Sequence, residues 1–152
     1  MKAIVMSDSH KDFDSILRII EKEPDATLFI HAGDVQQDVD DLESVFPTIP
    51  IAHVLGNNDY FVHGVPDERF FTFGDKKIFL THGHTYRVKY GLDAVIHKAE
   101  SMGADICIFG HTHRAHLEKV RNLWVLNPGS TYRSYATIEI KNGELQIQLK
   151  EN

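Results

Sequence analysis

The chain carries carboxylate, imidazole and amide side chains directly after its short apolar runs. Five of these runs are followed by turns that contain glycine or serine together with at least one such side chain, and a sixth is followed by Asn127-Pro128-Gly129-Ser130. All of these groups can coordinate metal ions, and histidine is the commonest protein ligand. The seven expected ligands are Asp8, His10, Asp34, Asn57, His82, His111 and His113.

This donor set contains no thiolate, which argues against a structural zinc site. Seven donors are too many for one transition metal that must keep a coordination position open, but they suit two divalent ions that share one carboxylate. We expect Mn²⁺ first, with Ni²⁺, Co²⁺, Fe²⁺ and Zn²⁺ as alternatives. Residues two apart in an extended segment point the same way, so Asp8 with His10, and His111 with His113, are predicted to act as pairs.

The elements that must position these turns alternate between strands and helices, and the last third of the chain is rich in strands. Helices are predicted from Phe13, capped by Asp12, and over 39–46 and 92–102. Strands are predicted over 3–6, 27–30, 51–55, 69–73, 77–81, 106–109, 117–120, 123–126, 134–140 and 144–149.

The order of these elements predicts an α/β protein. Ligands bind outside the carboxyl ends of parallel strands, so the polar turns are expected to converge on one edge. Parallel strands early and antiparallel hairpins late fit a four-layer α/β/β/α sandwich of two mixed sheets flanked by helices. With 152 residues, the chain is expected to form one domain over 1–152.

The composition narrows the class of protein. A hydrophobic fraction of 42% and a charged fraction of 25% are typical of a globular protein, and no apolar run reaches membrane-spanning length. The N-terminus has no signal-peptide pattern, so a cytoplasmic location is expected. The net charge of −6 argues against a general nucleic-acid-binding surface. The single cysteine, Cys107, lies in an apolar run and is expected to be buried.

The order of the motifs resembles the calcineurin-like metallophosphoesterase superfamily, whose pattern is D-x-H, GD, GN-H-[DE], a lone His and GH-x-H. The short length, the GHTH at 110–113 and the NPGS at 127–130 are similar to the compact cytosolic phosphodiesterases of bacteria and archaea. The resemblance extends from residue 4 to about 140 and implies the same four-layer sandwich. It also implies two metal ions and a hydroxide between them that attacks phosphorus.

By this resemblance, each metal ion receives its own ligands. The first ion is held by Asp8, His10 and His113, the second by Asn57, His82 and His111, and Asp34 bridges them. The substrate is expected to be a small phosphate ester, most readily a phosphodiester. Phosphomonoesters and nucleic acids are alternatives, although the acidic composition argues against a nuclease.

The chain departs from the family pattern at Asn58, where many members have a histidine that binds phosphate or protonates the leaving group. Asparagine can donate a hydrogen bond to a phosphate oxygen but cannot deliver a proton. The alternatives are that a general acid is absent, that water supplies the proton, or that another side chain such as His84, two residues after His82, is the acid. Asn58 and His84 are the expected catalytic residues beside the metal ligands, and Asp59 is a candidate to orient an imidazole placed at position 58.

Two further interpretations stay open at this stage. A eukaryotic retromer subunit has this fold and acts mainly by binding partners, so a non-catalytic scaffold is the alternative to an enzyme.

Tyr60-Phe61-Val62 could belong to the core, the rim of the active site or a contact between identical chains, and self-association is left open. His31 and His53 are expected to be packed, while His63, His97 and His116 are expected at the surface.

Overall fold

The structure is a computed structural model that describes residues 1–152. Two five-stranded mixed sheets form the centre of the molecule. The first sheet has the strand order β10-β9-β1-β2-β3 and the second has β4-β5-β6-β8-β7. The strands are β1 (Lys2–Met6), β2 (Leu28–His31), β3 (Ile51–His53), β4 (Glu68–Phe73), β5 (Lys76–Thr81), β6 (Ile106–Ile108), β7 (His116–Val120), β8 (Leu123–Asn127), β9 (Ser134–Lys141) and β10 (Glu144–Glu151).

Three α-helices cover the outer faces of the sheets: α1 (Phe13–Lys22), α2 (Gln36–Val45) and α3 (Asp93–Ser101). The Asp12 carboxylate accepts a hydrogen bond from the Ser15 backbone N–H at 3.2 Å, which confirms the predicted cap of α1. A single 3₁₀ turn at His84–Tyr86 follows β5 and was not predicted. None of the helices is long and apolar enough to cross a membrane.

Alternating side chains along each strand divide the interior into three apolar clusters. In β1, Ala3 and Val5 face the second sheet, whereas Ile4 and Met6 face α1. In the second sheet, Cys107 and its neighbours on the outer face pack against α3. Burial raises the pKa of the Cys107 thiol to about 12, and the expectation of a buried cysteine is confirmed. The layers are therefore α/β/β/α, as the sequence predicted.

The carboxyl ends of the parallel strands lie at one edge of this sandwich. Strands β1, β2 and β3 are mutually parallel, as are β5, β6 and β8. The turns that follow these six strands carry the predicted ligands and the Asn127–Ser130 segment. The antiparallel strands β9 and β10 and the β4–β5 and β7–β8 hairpins complete the sheets without adding to this edge.

The predicted element boundaries differ from the observed ones by up to three residues. The Asn142-Gly143 hairpin and the turn at Gly74-Asp75 form as predicted. Strand β3 ends at His53 and not at residue 55, because the Leu55 N–H bonds to the Pro66 carbonyl in the connecting segment and leaves the sheet. Pattern alone cannot place such an end, since Val54 and Leu55 remain apolar and buried.

A buried carboxylate joins the end of α1 to the first sheet. Glu23 accepts hydrogen bonds from Lys150 at 2.5 Å, from the Tyr135 hydroxyl at 2.9 Å and from Lys2 at 3.1 Å. Burial alone would raise the pKa of Glu23, but these three donors outweigh burial and lower it. The carboxylate is thus stabilised in its charged form in the folded state.

We expect Glu23→Gln to lower the free energy of unfolding by about 1–3 kcal/mol at pH 7, because it leaves two ammonium groups without their shared carboxylate. The native pKa of Glu23 is below its unfolded value, so this contribution is present at neutral pH and is lost as the pH falls through the native pKa. Urea unfolding at a series of pH values would measure the difference between wild type and variant.

Asp25→Asn is the matched control, because Asp25 is exposed and binds only Lys2. It should change stability less than Glu23→Gln. A difference between wild type and Glu23→Gln that persists unchanged at acidic pH would contradict the assigned role of the charge.

Candidate metal centre

The first group of predicted ligands surrounds one oxygen of Asp8. This Oδ1 atom lies 3.2 Å from Nε2 of His113 and 3.7 Å from Nε2 of His10. The two imidazole nitrogens are themselves 3.3 Å apart. Asp8 comes from the turn after β1 and His113 from the turn after β6, so the two sheets contribute to the same group. The arrangement can hold a metal ion.

The second group is centred on His82, which follows β5. Its Nε2 atom lies 3.0 Å from Oδ1 of Asn57, 3.6 Å from Oδ2 of Asp34 and 3.8 Å from Oδ1 of Asp8. The same Asp34 oxygen is 3.8 Å from Nε2 of His10 in the first group. Asp34 therefore lies between the two groups, as expected of a shared ligand, and Asp8 also reaches both.

His111 approaches the second group from the side of β6. Its ring centroid lies 5.1 Å from that of His82, and its backbone N–H donates to Oδ2 of Asp8 at 2.9 Å. Burial is the main influence that lowers the pKa of His111 to about 4, and the charge of Lys89 acts in the same direction. The ring is therefore neutral at pH 7 and has a lone pair available for a metal ion.

Two buried groups lack the partners that their environment should provide. Asp8 is 1% exposed, and its Oδ1 atom accepts no hydrogen bond. In His82, Nδ1 donates to the Ala32 carbonyl at 2.7 Å, so Nε2 presents a lone pair to the acceptor Oδ1 of Asn57. Acceptors that face one another in this way, with His82 fully buried, are unfavourable unless a cation lies between them. The residues present thus fit divalent metal ions.

The turns that carry the ligands are not extended. The pairing of Asp8 with His10, and of His111 with His113, was predicted for extended segments, and that premise is wrong. Asp8 has a φ of 53°, His10 of 46°, His111 of 68° and His113 of 59°. Left-handed backbone of this kind is uncommon for residues other than glycine and clusters at functional sites. The pairs nevertheless face the site, but His113 joins Asp8 while His111 turns towards His82. Asp34, with a φ of 55°, shares the same conformation.

Two glycines allow the turns to approach this closely. A side chain at Gly56 would collide with the Asp34 carboxylate, and one at Gly110 would collide with the side chains of Ser7 and Asp8. Each glycine therefore lets the backbone of one turn lie against the carboxylate of another.

Buried polar side chains outside the predicted ligand set hold the turns in place. Asp38, from α2, accepts from the Ser9 hydroxyl at 2.5 Å and from the Lys11 N–H at 2.9 Å. Because Nδ1 of His31 accepts from the Gly33 N–H, its Nε2 donates to Ser9. Burial holds the pKa of His31 far down, at about 3, so this ring stays neutral. Asp38 was not identified in the sequence, since an acidic residue on a surface helix carries no distinguishing signal.

The turn after β8 supports the ligands of the other sheet. Asn127 donates to the Gly110 carbonyl at 3.0 Å and to the Thr112 hydroxyl at 2.9 Å, which fixes the loop that carries His111 and His113. The Ser130 hydroxyl donates to the Asp8 carbonyl at 2.8 Å. Neither side chain is aimed at the metal position, in agreement with a supporting role.

Asn58 and His84, the two expected catalytic residues, both lie at the site. The Asn58 amide donates to Oδ2 of Asp34 at 2.6 Å, and its backbone N–H donates to Oδ1 at 3.0 Å. The His84 ring lies 5.4 Å from the His82 ring, although it belongs to the 3₁₀ turn and not to an extended segment. Its Nδ1 atom is buried without a partner, and burial lowers the pKa of this ring.

Asp59 accepts hydrogen bonds from the backbone of two of the ligand turns. Its two oxygens accept from the backbone N–H groups of Gly56 at 2.8 Å, Gln36 at 2.8 Å and Asp34 at 3.2 Å. The carboxylate therefore links the backbone of two ligand turns.

The remaining aromatic and histidine predictions can also be compared with the fold. Tyr60 is 73% exposed and Phe61 is 78% exposed, so the interpretation of these residues as core is wrong.

His31 and His53 are buried as expected. Among the histidines expected at the surface, His63 and His97 are exposed, whereas His116 is half-buried beside Glu118.

The sequence of this chain is similar to those of known phosphoesterases. A probable metallophosphoesterase of Bacillus subtilis is 36% identical over 157 aligned positions, which cover 97% of this chain and 89% of the relative. A phosphodiesterase of Methanocaldococcus jannaschii is 29% identical, covering 85% of this chain and 83% of the relative.

Solved structures show the same fold. A predicted phosphoesterase of Streptococcus pneumoniae superposes with a TM-score of 0.81 at 27% identity and covers 99% of this chain and 88% of its own. Vps29 of Entamoeba histolytica, solved as a complex with Zn²⁺, superposes with a TM-score of 0.79 at 20% identity and covers 99% of both chains. The family model of the calcineurin-like phosphoesterase superfamily domain matches residues 1–143, and the chain belongs to this superfamily.

Proposed function

We propose that this protein hydrolyses phosphate esters, most readily phosphodiesters, with two divalent metal ions held by the seven predicted ligands. The observation that carries the proposal is the unpartnered Oδ1 of Asp8, which imidazoles from both ligand groups surround at 3.2–3.8 Å. When bound, the ions would supply an activated hydroxide and would bind the phosphate oxygens. The relative named a phosphodiesterase supports the diester preference.

The protein residues have separate tasks in this proposal. Asp8, His10 and His113 hold one ion, Asn57, His82 and His111 hold the other, and Asp34 is shared. The Ala32 carbonyl orients His82 by accepting its Nδ1 proton, so that Nε2 faces the metal. Asn58 holds Asp34 through its amide and is close enough to the site to donate to a phosphate oxygen after rotating away.

A scaffold without catalysis is the second candidate, and the likeness to Vps29 favours it. That likeness is one of fold alone, and the Vps29 structure was solved with Zn²⁺, so metal binding by itself does not separate the two functions. Turnover of a chromogenic diester does. We expect Mn²⁺-loaded protein to hydrolyse bis-p-nitrophenyl phosphate, and the absence of turnover with a full complement of metal would favour the scaffold.

The first expected outcome concerns metal content. Seven donors in two groups should bind two divalent ions with unequal affinity. Each group has two imidazoles, but the second has the neutral amide of Asn57 where the first has the carboxylate of Asp8. Calorimetric titration of metal-free protein with Mn²⁺ should give a stoichiometry that approaches two per chain. Folded protein that saturates with one ion or none would contradict a dinuclear centre.

The second expected outcome concerns the shared carboxylate. Asp34→Asn should reduce turnover by more than the roughly 10–100-fold typical of losing an outer partner of a metal ligand. It should also cost more than His10→Ala or Asn57→Ala, since each of these removes a ligand from one ion only. Steady-state assays with Mn²⁺, with circular dichroism to check the fold, would measure the order. Near-normal turnover of Asp34→Asn would remove Asp34 as the bridge.

The third expected outcome concerns the leaving group. Without a positioned acid, the departing oxygen must carry its own negative charge, and general acid catalysis is typically worth ~10²–10⁴-fold. We therefore expect a steep dependence of rate on leaving-group pKa, with good hydrolysis of nitrophenyl esters and poor hydrolysis of dialkyl esters. We expect Asn58→His to leave the slope steep, because the Asp59 carboxylate already accepts hydrogen bonds from three backbone N–H groups and has little acceptor capacity left to orient the new ring.

His84→Ala tests the other candidate acid in the same series of leaving groups. If wild type shows a shallow slope that steepens only in His84→Ala, then His84 is the acid. If Asn58→His flattens the slope, position 58 can supply the missing proton without Asp59.

A further inference from the structure

A cavity of about 560 Å³ lies beside the loop that carries His111. Phe109 and Thr112, which precede and follow His111 in that loop, line the cavity together with Val88 and Leu92. The volume lies within the range of pockets that bind small organic ligands. The cavity is therefore both large enough for a substituent of a substrate and adjacent to a proposed metal ligand.

The inner part of the cavity is apolar. Phe109 is buried in the cluster between the second sheet and α3, and Val88 packs in the same cluster. Leu92, at the start of α3, is partly buried and leaves apolar surface facing the cavity. These side chains are held by the core, so the apolar wall is preformed and would favour a flat hydrocarbon group.

The rim of the cavity is cationic although the protein is acidic overall. Lys89 and Arg114 line the cavity, are exposed and take part in none of the ion pairs of the structure. The carboxylate of Glu118 is directed to Nε2 of His116, at 3.1 Å, and not to either cation. In a chain of net charge −6, two unpaired cations at one cavity are free to bind an anion.

The cationic rim and the metal centre share one loop. Thr112, which lines the cavity together with Lys89 and Arg114, directly follows His111 in the chain. A ligand that reaches from the metal position across His111 would thus meet the apolar wall and then the two cations.

We propose that this cavity is the subsite for one ester substituent of the substrate, and that the substituent is an aromatic ring bearing its own negative charge. The substrate class would be anionic aryl phosphate esters, whose reacting phosphate lies at the metals while the second anion pairs with Lys89 and Arg114. This inference rests on the proposed metal-dependent function, because the reacting phosphate must be held beside His111.

Three phosphonates that cannot be hydrolysed test the subsite by calorimetry on Mn²⁺-saturated protein: methylphosphonate, phenylphosphonate and 4-carboxyphenylphosphonate. The ring should tighten binding roughly tenfold over the methyl group by covering apolar surface. The carboxylate should tighten binding about tenfold again through charge-assisted hydrogen bonds. All three carry a phosphonate as the metal-binding group, and the variants described next assign the differences between their Kd values to the cavity.

Substitutions assign the two steps to the two parts of the cavity. Lys89→Gln combined with Arg114→Gln should abolish the advantage of the carboxyphenyl over the phenyl compound. Leu92→Asn should reduce the advantage of phenyl over methyl, with urea unfolding to verify that the variant is folded. Arg18→Gln is the matched control, because Arg18 is an exposed arginine on α1, which packs against the other sheet, and its removal should change neither ratio.

Equal Kd values for the three phosphonates, or a carboxylate advantage that persists in the double variant, would overturn the subsite. Failure of the proposed function would look different, as missing Mn²⁺ binding or missing diester turnover. In that case the comparison of phenyl- with carboxyphenylphosphonate still decides whether the cavity recognises an anionic ring.

Discussion

Two carboxylates buried side by side at one edge of the sandwich are the constraint on which the site depends. Asp8 is 1% exposed and Asp34 is 2% exposed, and both lie within 4 Å of the same imidazole nitrogen of His82. Burying like charges together is costly unless positive charge compensates for it. Neutral histidines such as His111 cannot provide that charge, but they can bind the cations that do. The buried carboxylates and the neutral imidazoles around them thus fit bound cations, which would offset the cost of burying the two charges.

The left-handed turns that aim these ligands require support from the rest of the chain. Such backbone costs of order 1–3 kcal/mol per residue and persists only where the surroundings determine it. Three side chains that are not metal ligands provide much of that determination: Asp38 holds the turn after β1, Asp59 joins the turns after β2 and β3, and Asn127 holds the loop after β6. Each of them satisfies backbone or hydroxyl groups that the turns leave unpaired.

The sequence was sufficient to predict the fold and the residues that meet at the edge, but not how they meet. Apolar runs followed by polar turns predict which side chains lie at the carboxyl ends of parallel strands, and this holds for Asp34 and His82 alike. The rule that residues two apart point the same way fails for His111 and His113, because left-handed backbone cannot be read from residue types. For the same reason the sequence does not predict the 3₁₀ turn at His84–Tyr86, because this turn depends on a φ of 101° at Gly83.

In the proposed function, the charge distribution around the centre would favour small anions over polymers. With two divalent ions present, their charge of +4 exceeds the −2 of Asp8 and Asp34, and Lys89 and Arg114 add positive charge nearby. Salt at physiological concentration screens charges over about 8 Å, so the positive centre attracts an anion only at short range. Farther away, an approaching molecule meets the surface of a protein whose net charge is negative. A nucleic acid must lie across that wider surface, whereas a small ester needs only the site itself. The acidity of the chain is therefore compatible with a centre that attracts phosphate, and in the proposed function the two together would favour a small ester over a nucleic acid.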